Sequence, residues 1–143
     1  MNQFLLDVIT PARKAFSERV EAVSVPTPDG RIEVLANHEP LFTQLAPGEV
    51  KVISGTKEFF LAVGGGFMEV RPKGEVTILV SRAVHADEIN EAEIKKAMDS
   101  AKELIARKVK GEELAAAVAT LHRTMLELRV SRRKRRATPF RMQ

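Results

Sequence analysis

The chain of 143 residues contains no cysteine, tryptophan or tyrosine. The absence of cysteine excludes disulfide bonds and thiol chemistry, and it fits a reducing cytosolic compartment. No stretch approaches the roughly 20 uncharged apolar residues that a membrane-spanning helix requires. The segment from Met1 to Asp7 lacks a positively charged start and is interrupted by the aspartate, so we do not expect it to be a signal peptide.

Positive charge is concentrated in the C-terminal part of the chain. The net charge of +4 divides into −1 for residues 1–86, with 9 Lys/Arg against 10 Asp/Glu, and +5 for residues 87–143, with 14 against 9. From Leu121 onward there are 8 cationic residues and one anionic residue, Glu127. We therefore expect an acidic partner to bind the C-terminal part.

Residues 1–86 have the pattern of short β-strands. Apolar runs of four to six residues recur at close intervals, and several alternate with polar residues as half-buried strands do. Turn sequences rich in glycine and proline, such as residues 28–30 and 72–74, separate the runs. The predicted strands are Phe4–Ile9, Val20–Val25, Arg31–Leu35, Val50–Ile53, Phe59–Val63, Phe67–Val70 and Val76–Val80. Seven or more short strands predict an antiparallel β-sandwich or barrel.

Two segments interrupt this strand pattern. Pro11 and the charged residues after it indicate a break between the first two strands. Residues 36–43 contain Pro40, which has no backbone N–H and restricts Glu39 to extended conformations. We predict that residues 36–43 form an ordered loop and a candidate contact surface.

Residues 87–136 have helical periodicity. Asn90 followed by Glu93 has the spacing of a capping box, so we expect the first helix to begin between residues 87 and 90. Gly111 is its expected stop. The second helix is expected to carry an apolar stripe of side chains three and four residues apart, namely Leu114, Val118, Leu121, Met125 and Leu128. Helices of about 18 and 22 residues joined by a short link predict an antiparallel hairpin, followed by a tail at residues 137–143. The overall expectation is an α+β chain.

The predicted hairpin has narrow, alanine-rich apolar stripes. Each buried leucine contributes about 1.5–3 kcal/mol before entropy is counted, so few large side chains hold the helices together. This composition permits the hairpin to open or shift, and we treat it as a candidate mobile arm. The five consecutive cations at residues 132–136 are open to three interpretations: a solvated tail, phosphate contacts with nucleic acid, or an acidic protein surface.

No catalytic or metal-binding constellation is visible in the sequence. The three glycines at residues 64–66 lack the Lys-Ser/Thr of a phosphate loop and lie between predicted strands, which favours a hairpin turn. His38, His85 and His122 are too scattered to indicate a metal site. We assign His38 to loop structure or partner contact and the other two to solvated positions. No G-x-S-x-G motif is present, so no enzyme activity, metal or cofactor is expected.

Five short strings occur in a consistent order ahead of the predicted hairpin. They are the Pro-Asp-Gly turn at residues 28–30, Asn37-His38-Glu39-Pro40-Leu41 within residues 32–41, Pro47-Gly48-Glu-Val, Gly65-Gly66-Phe-Met-Glu-Val and Val76-Thr-Ile-Leu-Val80. Together they resemble the epsilon subunit of bacterial F-type ATP synthases, over residues 1–136. That family's Gly-His-x-Pro-Leu pattern is met here with Asn37 in place of glycine, a mild departure because asparagine tolerates positive φ.

The resemblance implies a rotor subunit without chemistry or a cofactor of its own. In the family the β-sandwich contacts the gamma subunit and the ring of c subunits. The residues of this chain expected at those contacts are Arg31, Asn37, His38, Glu39, Pro40 and Leu41. The implied location is the cytoplasmic face of the bacterial inner membrane, reached only through the complex. The implied domains are a rotor-docking sandwich at residues 1–86 and a regulatory arm at residues 87–136.

The resemblance also implies that the helical arm restrains ATP hydrolysis. In the family the hairpin is either compact or extended into the catalytic head of alpha and beta subunits, where basic residues of the last helix face an acidic segment of beta. The residues of this chain expected at that contact are Arg123, Arg129, Arg132, Arg133, Lys134, Arg135 and Arg136.

Some members of the family bind ATP through an Ile-Asp-x-x-Arg-Ala motif on the first helix. The matching positions here begin at Ile89, with a neutral amide at Asn90 and a reversed charge at Glu93. A phosphate would meet repulsion where it needs a cation. We therefore expect this chain not to bind ATP tightly.

Two function classes follow from these observations. The first is a non-enzymatic subunit of a rotary ATP synthase. The alternative is a stand-alone β-sandwich module whose basic arm binds nucleic acid or an acidic protein. One short cationic run without interleaved aromatic residues is a weak nucleic-acid signal, so nucleic acid is not the expected partner. Copurification with a gamma subunit would separate the two classes.

Overall fold

The computed structural model divides the chain into two compact units, the first ending at His85 and the second beginning at Ala86. The structure describes the backbone of residues 2–141 and the side chains of residues 2–133. In this described part, no helix combines the length and the apolarity that crossing a membrane requires.

The first unit is a sandwich of two five-stranded sheets. Its strands are β1 (Phe4–Ile9), β2 (Lys14–Val20), β3 (Ala22–Thr27), β4 (Gly30–Leu35), β5 (Leu41–Leu45), β6 (Gly48–Ser54), β7 (Lys57–Val63), β8 (Gly66–Val70), β9 (Val76–Val80) and β10 (Ala83–His85). The first sheet has the order β2-β1-β9-β8-β5, and the second sheet has the order β10-β7-β6-β3-β4. The predicted sandwich is confirmed.

Alternation of buried and outward-facing side chains explains why these segments form strands. Leu6 and Val8 of β1 and Ile78 of β9 are fully buried, whereas the residues between them are not. The buried side chains of both sheets meet in one apolar core. Because each buried aliphatic side chain contributes about 1.5–3 kcal/mol, this core is the main source of the first unit's stability.

The sequence did not predict three of the strands: β2, β5 and β10. Each of them is an edge strand of its sheet. An edge strand buries fewer side chains, and in β2 only Phe16 and Val20 are buried, so the alternation is weak. The predicted loop at residues 36–43 was wrong at its end, because β5 already begins at Leu41.

One strand pair departs from the predicted antiparallel arrangement. Strand β1 pairs with β9 in parallel, with Leu6 opposite Val76 and Ile9 opposite Leu79. The two strands are far apart in sequence, which a parallel pair requires because a short hairpin cannot join parallel neighbours.

The triple glycine connects the two sheets and does not form the predicted hairpin turn. Strand β7 belongs to the second sheet and β8 to the first, so residues 64 and 65 carry the chain between sheets. A Cβ atom at Gly66 would lie 1.9 Å from the carbonyl oxygen of Leu79, and one at Gly64 would lie 2.2 Å from Ser81 Oγ. The backbone contact requires glycine at position 66, whereas a side chain at position 64 would need the Ser81 hydroxyl to move.

The second unit is a helical hairpin preceded by a 3-10 turn at Ala86–Glu88. Helix α1 spans Glu91–Ala106 and helix α2 spans Gly111–Arg141. The predicted start of α1 is confirmed, because Asn90 Oδ1 accepts hydrogen bonds from the backbone nitrogens of Ala92 and Glu93. The helices are antiparallel: Ser131 in α2 donates a hydrogen bond to Glu91 in the first turn of α1.

Both predicted helix ends need correction. Helix α1 ends with Arg107 as its C-cap, and Lys108 follows at a φ of 60°. Gly111 is not the stop but the first residue of α2. Helix α2 also continues to Arg141, past the predicted end at residue 136 and into the segment that was expected to be a tail.

The buried face of α2 differs from the predicted apolar stripe. Leu114 and Met125 of that stripe are exposed. The buried residues of α2 are instead small, polar or charged for the most part: Ala117, Thr124, Glu127, Val130 and Ser131. Polar side chains are tolerated there because each has hydrogen-bond partners; the Thr124 hydroxyl, for example, donates to the Thr120 carbonyl oxygen at 2.8 Å. The prediction failed because it counted apolarity alone.

Candidate functional site

The loop between β4 and β5 is the first part of the predicted contact surface. Since β4 lies in the second sheet and β5 in the first, the loop crosses from one sheet to the other. Asn37 adopts a φ of 67°, and the backbone nitrogen of His38 donates to the carbonyl oxygen of Leu35 at 3.2 Å. The positive φ explains why asparagine substitutes for glycine at this position.

The loop presents polar side chains to solvent. His38 is half-buried, while Glu39 and Pro40 are exposed. The Nδ1 nitrogen of His38 donates a hydrogen bond to the carbonyl oxygen of Glu39 at 2.7 Å. Because a carbonyl oxygen can only accept, this bond requires the proton on Nδ1. The Nε2 nitrogen can then accept a hydrogen bond from a partner.

Arg31 does not join this loop. Its guanidinium lies over strand β3, with Nε donating to Ser24 Oγ at 3.2 Å and Nη2 donating to the Ser24 carbonyl oxygen at 3.1 Å. Arg31 is near the start of β4 and Leu35 is at its end, which separates their α carbons by roughly 13 Å. The structure therefore divides the predicted rotor-contact set into two places.

The arginines of α2 fall into two groups. Arg123 Nη1 lies 3.0 Å from Glu127 Oε1, and Glu127 is only 2% exposed. This ion pair gives the buried carboxylate a charged partner, which a buried charge needs. Arg123 is thus engaged within its own helix.

The second group consists of Arg129, Arg132 and Arg133, which are exposed. Their spacing of three and four residues puts them on one face of the helix. Arg129 lies roughly 120° around the helix axis from Arg123. We call this set the arginine face. Arg133 makes further contacts within the chain.

The arginine face borders a groove of about 380 Å³ in the hairpin. The apolar part of the groove is formed by Met98 of α1 together with Met125 and Leu128 of α2. Methionine side chains adapt their shape to different partners. The groove therefore combines an adaptable apolar floor with a cationic rim, which suits an amphipathic acidic segment.

The remaining predicted cations, Lys134, Arg135 and Arg136, lie on the helical backbone of α2. Their side chains are outside the described residues, so the prediction for them is neither supported nor opposed by geometry.

The residues at the positions of the ATP-binding motif have structural roles in α1. The Asn90 side chain caps α1 through two backbone N–H groups, and Glu93 is exposed with its negative charge in the first turn of that helix. A negative charge stabilises a helix N-terminus and repels a phosphate there.

The histidines and acidic residues form no metal site in the part of the chain that the structure describes, where no group of three or more possible ligands comes together. His122 is exposed as predicted. The solvated assignment of His85 was wrong: its Nε2 donates to the Ala15 carbonyl oxygen at 2.6 Å, and its ring lies 6.0 Å from that of Phe16.

An apolar surface on the outer side of the first sheet was not predicted from the sequence. Phe42, Phe67 and Leu79 are large, apolar and exposed. The alternation of β8 contained the information that Phe67 is exposed: Phe67 and Glu69 face outward, whereas Met68 and Val70 face the core. Contact between Phe42 and Phe67 depends on strand pairing, which local sequence does not reveal.

Comparison with known proteins identifies relatives over nearly the whole chain. Residues 3–86 match the family model described as "ATP synthase, Delta/Epsilon chain, beta-sandwich domain". An ATP synthase epsilon chain of Dehalococcoides mccartyi is 39% identical over 137 residues, covering 95% of this chain and 97% of that protein. One from Herpetosiphon aurantiacus is 38% identical over 130 residues, covering 91% and 95%.

Solved structures resemble the same fold. A chain of the Euglena gracilis mitochondrial ATP synthase, in an assembly of OSCP, F1 and c-ring, matches with a TM-score of 0.65 and 27% identity, covering 96% of this chain and 82% of that chain. A chain from the central stalk and c-ring of the Tetrahymena thermophila mitochondrial ATP synthase matches with a TM-score of 0.57 and 13% identity, covering 90% and 96%. The second likeness concerns the fold alone.

Proposed function

The chain belongs to the ATP synthase delta/epsilon chain family, and we propose that it couples the gamma subunit to the ring of c subunits and restrains ATP hydrolysis. It is a non-catalytic subunit of the ATP synthase central stalk. Through that complex it is peripherally associated with the membrane. We propose that it lies at the cytoplasmic face of a bacterial inner membrane, because epsilon chains of Dehalococcoides mccartyi and Herpetosiphon aurantiacus, which are bacteria, match it over most of their length.

The proposed rotor contact is centred on the loop residues Asn37, His38, Glu39 and Pro40 and on Leu41, the first residue of β5. Asn37 has a positive φ and the backbone nitrogen of His38 donates to the Leu35 carbonyl oxygen; a loop that keeps such a turn on binding loses little entropy. Exposed Glu39 and the Nε2 nitrogen of His38 offer acceptors to a partner. Arg31 is a second, separate contact, whose guanidinium is held in place by Ser24.

The proposed inhibitory contact rests on one observation: the arginine face of α2 borders the groove that Met98 of α1 forms with Met125 and Leu128 of α2. Arginine forms bidentate pairs with carboxylates, and the groove accepts apolar side chains from the same partner. The occupant we propose is the acidic segment of the beta subunit in the catalytic head. Lys134, Arg135 and Arg136 extend the positive charge in the proposal, whereas Arg123 takes part only if its pair with Glu127 is broken.

The inhibitory proposal is tested with ATP synthase freed of this chain and reconstituted with variants of it. The test variant changes Arg129, Arg132 and Arg133 to glutamine. Loss of three exposed ion pairs worth about 0.2–1 kcal/mol each weakens the inhibitory contact about 3-fold to 150-fold, so ATP hydrolysis is expected to rise.

A matched control removes the same charge from the other helix. Lys95, Lys96 and Lys102 of α1 are exposed. Changing them to glutamine is expected to give the same rate of ATP hydrolysis as the unmodified chain. Inhibition by the unmodified chain is also expected to weaken as salt rises, because screening acts over about 8–10 Å near physiological ionic strength. Equal hydrolysis with the arginine variant and the lysine variant would refute the inhibitory contact.

A further inference from the structure

The helical hairpin brings opposite charges together at the end where α1 begins. Ser131 in α2 donates a hydrogen bond to Glu91 Oε1 in the first turn of α1, at a distance of 3.3 Å. Arg132 and Arg133 of the arginine face directly follow Ser131 in the chain. Because consecutive α carbons are only about 3.8 Å apart, both arginine side chains start close to the carboxylate of Glu91.

The charges of the two meeting segments are strongly segregated by sign. Residues 86–93 contain four acidic residues and no cation, whereas residues 128–136 contain six cations and no acidic residue. The 3-10 turn at Ala86–Glu88 packs against α2, so it lies beside the same helix as the arginine face. We give the name acidic set to the acids of this turn together with the acid bound by Ser131, namely Asp87, Glu88 and Glu91.

The position of Glu91 on α1 shows that it serves more than the helix end. Glu91 is half-buried and precedes the buried Met98 by seven residues, or two helical turns, so both lie on the same side of α1. Glu93 is exposed and lies roughly 200° around the axis from Glu91. Both carboxylates stabilise the helix N-terminus, but Glu91 also contacts α2.

The acidic set offers the arginine face the same chemical group as its proposed partner. Arginine binds carboxylates through paired hydrogen bonds, and an arginine that pairs with one carboxylate is less available to another. Carboxylates of the same chain have a high effective concentration because they need not diffuse to the site. The three acids and Arg133 all make further polar or electrostatic interactions within the chain.

We propose that the acidic set is an internal competitor for the arginine face and weakens the inhibitory contact with the acidic segment of the beta subunit. This inference rests on the proposed inhibitory function of the arginine face. A partner shifts an equilibrium only by its difference in affinity for the two states. The acidic set therefore determines how strongly the beta segment must bind before ATP hydrolysis stops.

The test uses ATP synthase freed of this chain and reconstituted with full-length variants. The variant Asp87→Asn/Glu88→Gln/Glu91→Gln removes three negative charges, while each side-chain oxygen still accepts hydrogen bonds. Hydrolysis rates with and without the chain give the ratio of inhibited to active complexes. Loss of three partly exposed ion pairs is expected to raise this ratio about 3-fold or more, so that removing acidic residues slows ATP hydrolysis.

A matched control removes the same charge from other helix starts. Glu93, in the first turn of α1, and Glu112 and Glu113, in the first turn of α2, are exposed. Their joint change to glutamine alters the net charge equally and also weakens the favourable interaction with helix N-termini. This control is expected to leave the ratio of inhibited to active complexes unchanged.

The contact itself is measured in the free chain by urea unfolding followed by helical circular dichroism. Glu91→Gln is expected to lower the unfolding midpoint of the hairpin in the unmodified chain. The shift is expected to be smaller when Arg132→Gln and Arg133→Gln are already present, because the partner charges are then gone. Equal shifts in the two backgrounds would overturn the inference without reference to ATP synthase.

The outcomes separate this inference from the function on which it rests. If the unmodified chain inhibits hydrolysis and the acidic-set variant inhibits equally or less, the competitor is wrong while the inhibitory function stands. The same conclusion follows if the control variant raises inhibition as much as the acidic-set variant does. If the unmodified chain does not inhibit at all, the inhibitory function and the inference both fall.

Discussion

Arg123 Nη1 and Glu127 Oε1 lie 3.0 Å apart on one turn of α2, and the carboxylate is almost completely buried. The hairpin has few large apolar contacts. An ion pair at one of its buried positions is therefore important for the stability of the second unit. The same helix carries the arginine face on a different side, so one element combines an internal ion pair with a proposed external contact.

Replacing Arg123 with methionine is expected to lower the free energy of unfolding of the hairpin by about 1–3 kcal/mol, because a buried carboxylate loses a charged hydrogen-bond partner. Urea unfolding followed by helical circular dichroism measures this change. The control is Arg107→Met, which removes the exposed pair with Glu103 on α1 and is expected to cost at most about 1 kcal/mol. Equal effects of the two substitutions would show that burial of Glu127 is unimportant.

The glycines between β7 and β8 give a second prediction. Gly66→Ala is expected to destabilise the sandwich by about 1–3 kcal/mol or more, because the new methyl group would lie 1.9 Å from a backbone oxygen that cannot move aside. Gly65→Ala is the control: its nearest neighbour is at 3.5 Å, an ordinary contact. Thermal unfolding compares them, and an alanine tolerated at position 66 would contradict the packing described.

Asn37 provides a test of the loop conformation. Its φ of 67° suits asparagine and glycine and disfavours β-branched residues. Asn37→Gly is therefore expected to keep the melting temperature, whereas Asn37→Val is expected to cost about 1–2 kcal/mol. The control is Glu39→Val, which introduces the same side chain two residues away at a position without a positive φ. Equal stability of the Asn37→Val and Asn37→Gly variants would contradict this loop geometry.

Nucleotide binding can be tested on the isolated chain. Because Asn90 is engaged in capping α1 and Glu93 adds a negative charge to the first turn, calorimetric titration with ATP is expected to give no tight binding. Restoring the motif with Asn90→Asp and Glu93→Arg supplies the missing groups and is expected to increase affinity. Micromolar affinity of the unmodified chain would refute this prediction.

Features that depend on neighbouring residues in the sequence were predicted well. Strands β1 and β9 alternate strongly because both lie inside the first sheet. The start of α1 follows from the short-range bonds of Asn90. The edge strands β2, β5 and β10 lacked this signal, because a strand with one neighbour buries less of its surface, whereas the edge strand β4 was predicted.

Features that depend on distant residues were not predictable in the same way. The polarity of the buried face of α2 made it look like a solvent-exposed face, yet Ser131 is paired with Glu91, 40 positions earlier. Likewise, Phe42 and Phe67 meet only because β5 pairs with β8.

The central claim is that the helical unit restrains a rotary ATP synthase to which the sandwich binds. It is tested most directly by comparing ATP hydrolysis of the complex that carries the full chain with that of the complex that carries a chain ending at residue 86. We predict that both complexes contain the chain in stoichiometric amount and that hydrolysis is faster with the shortened chain. Equal hydrolysis rates in two fully assembled complexes would contradict the claim.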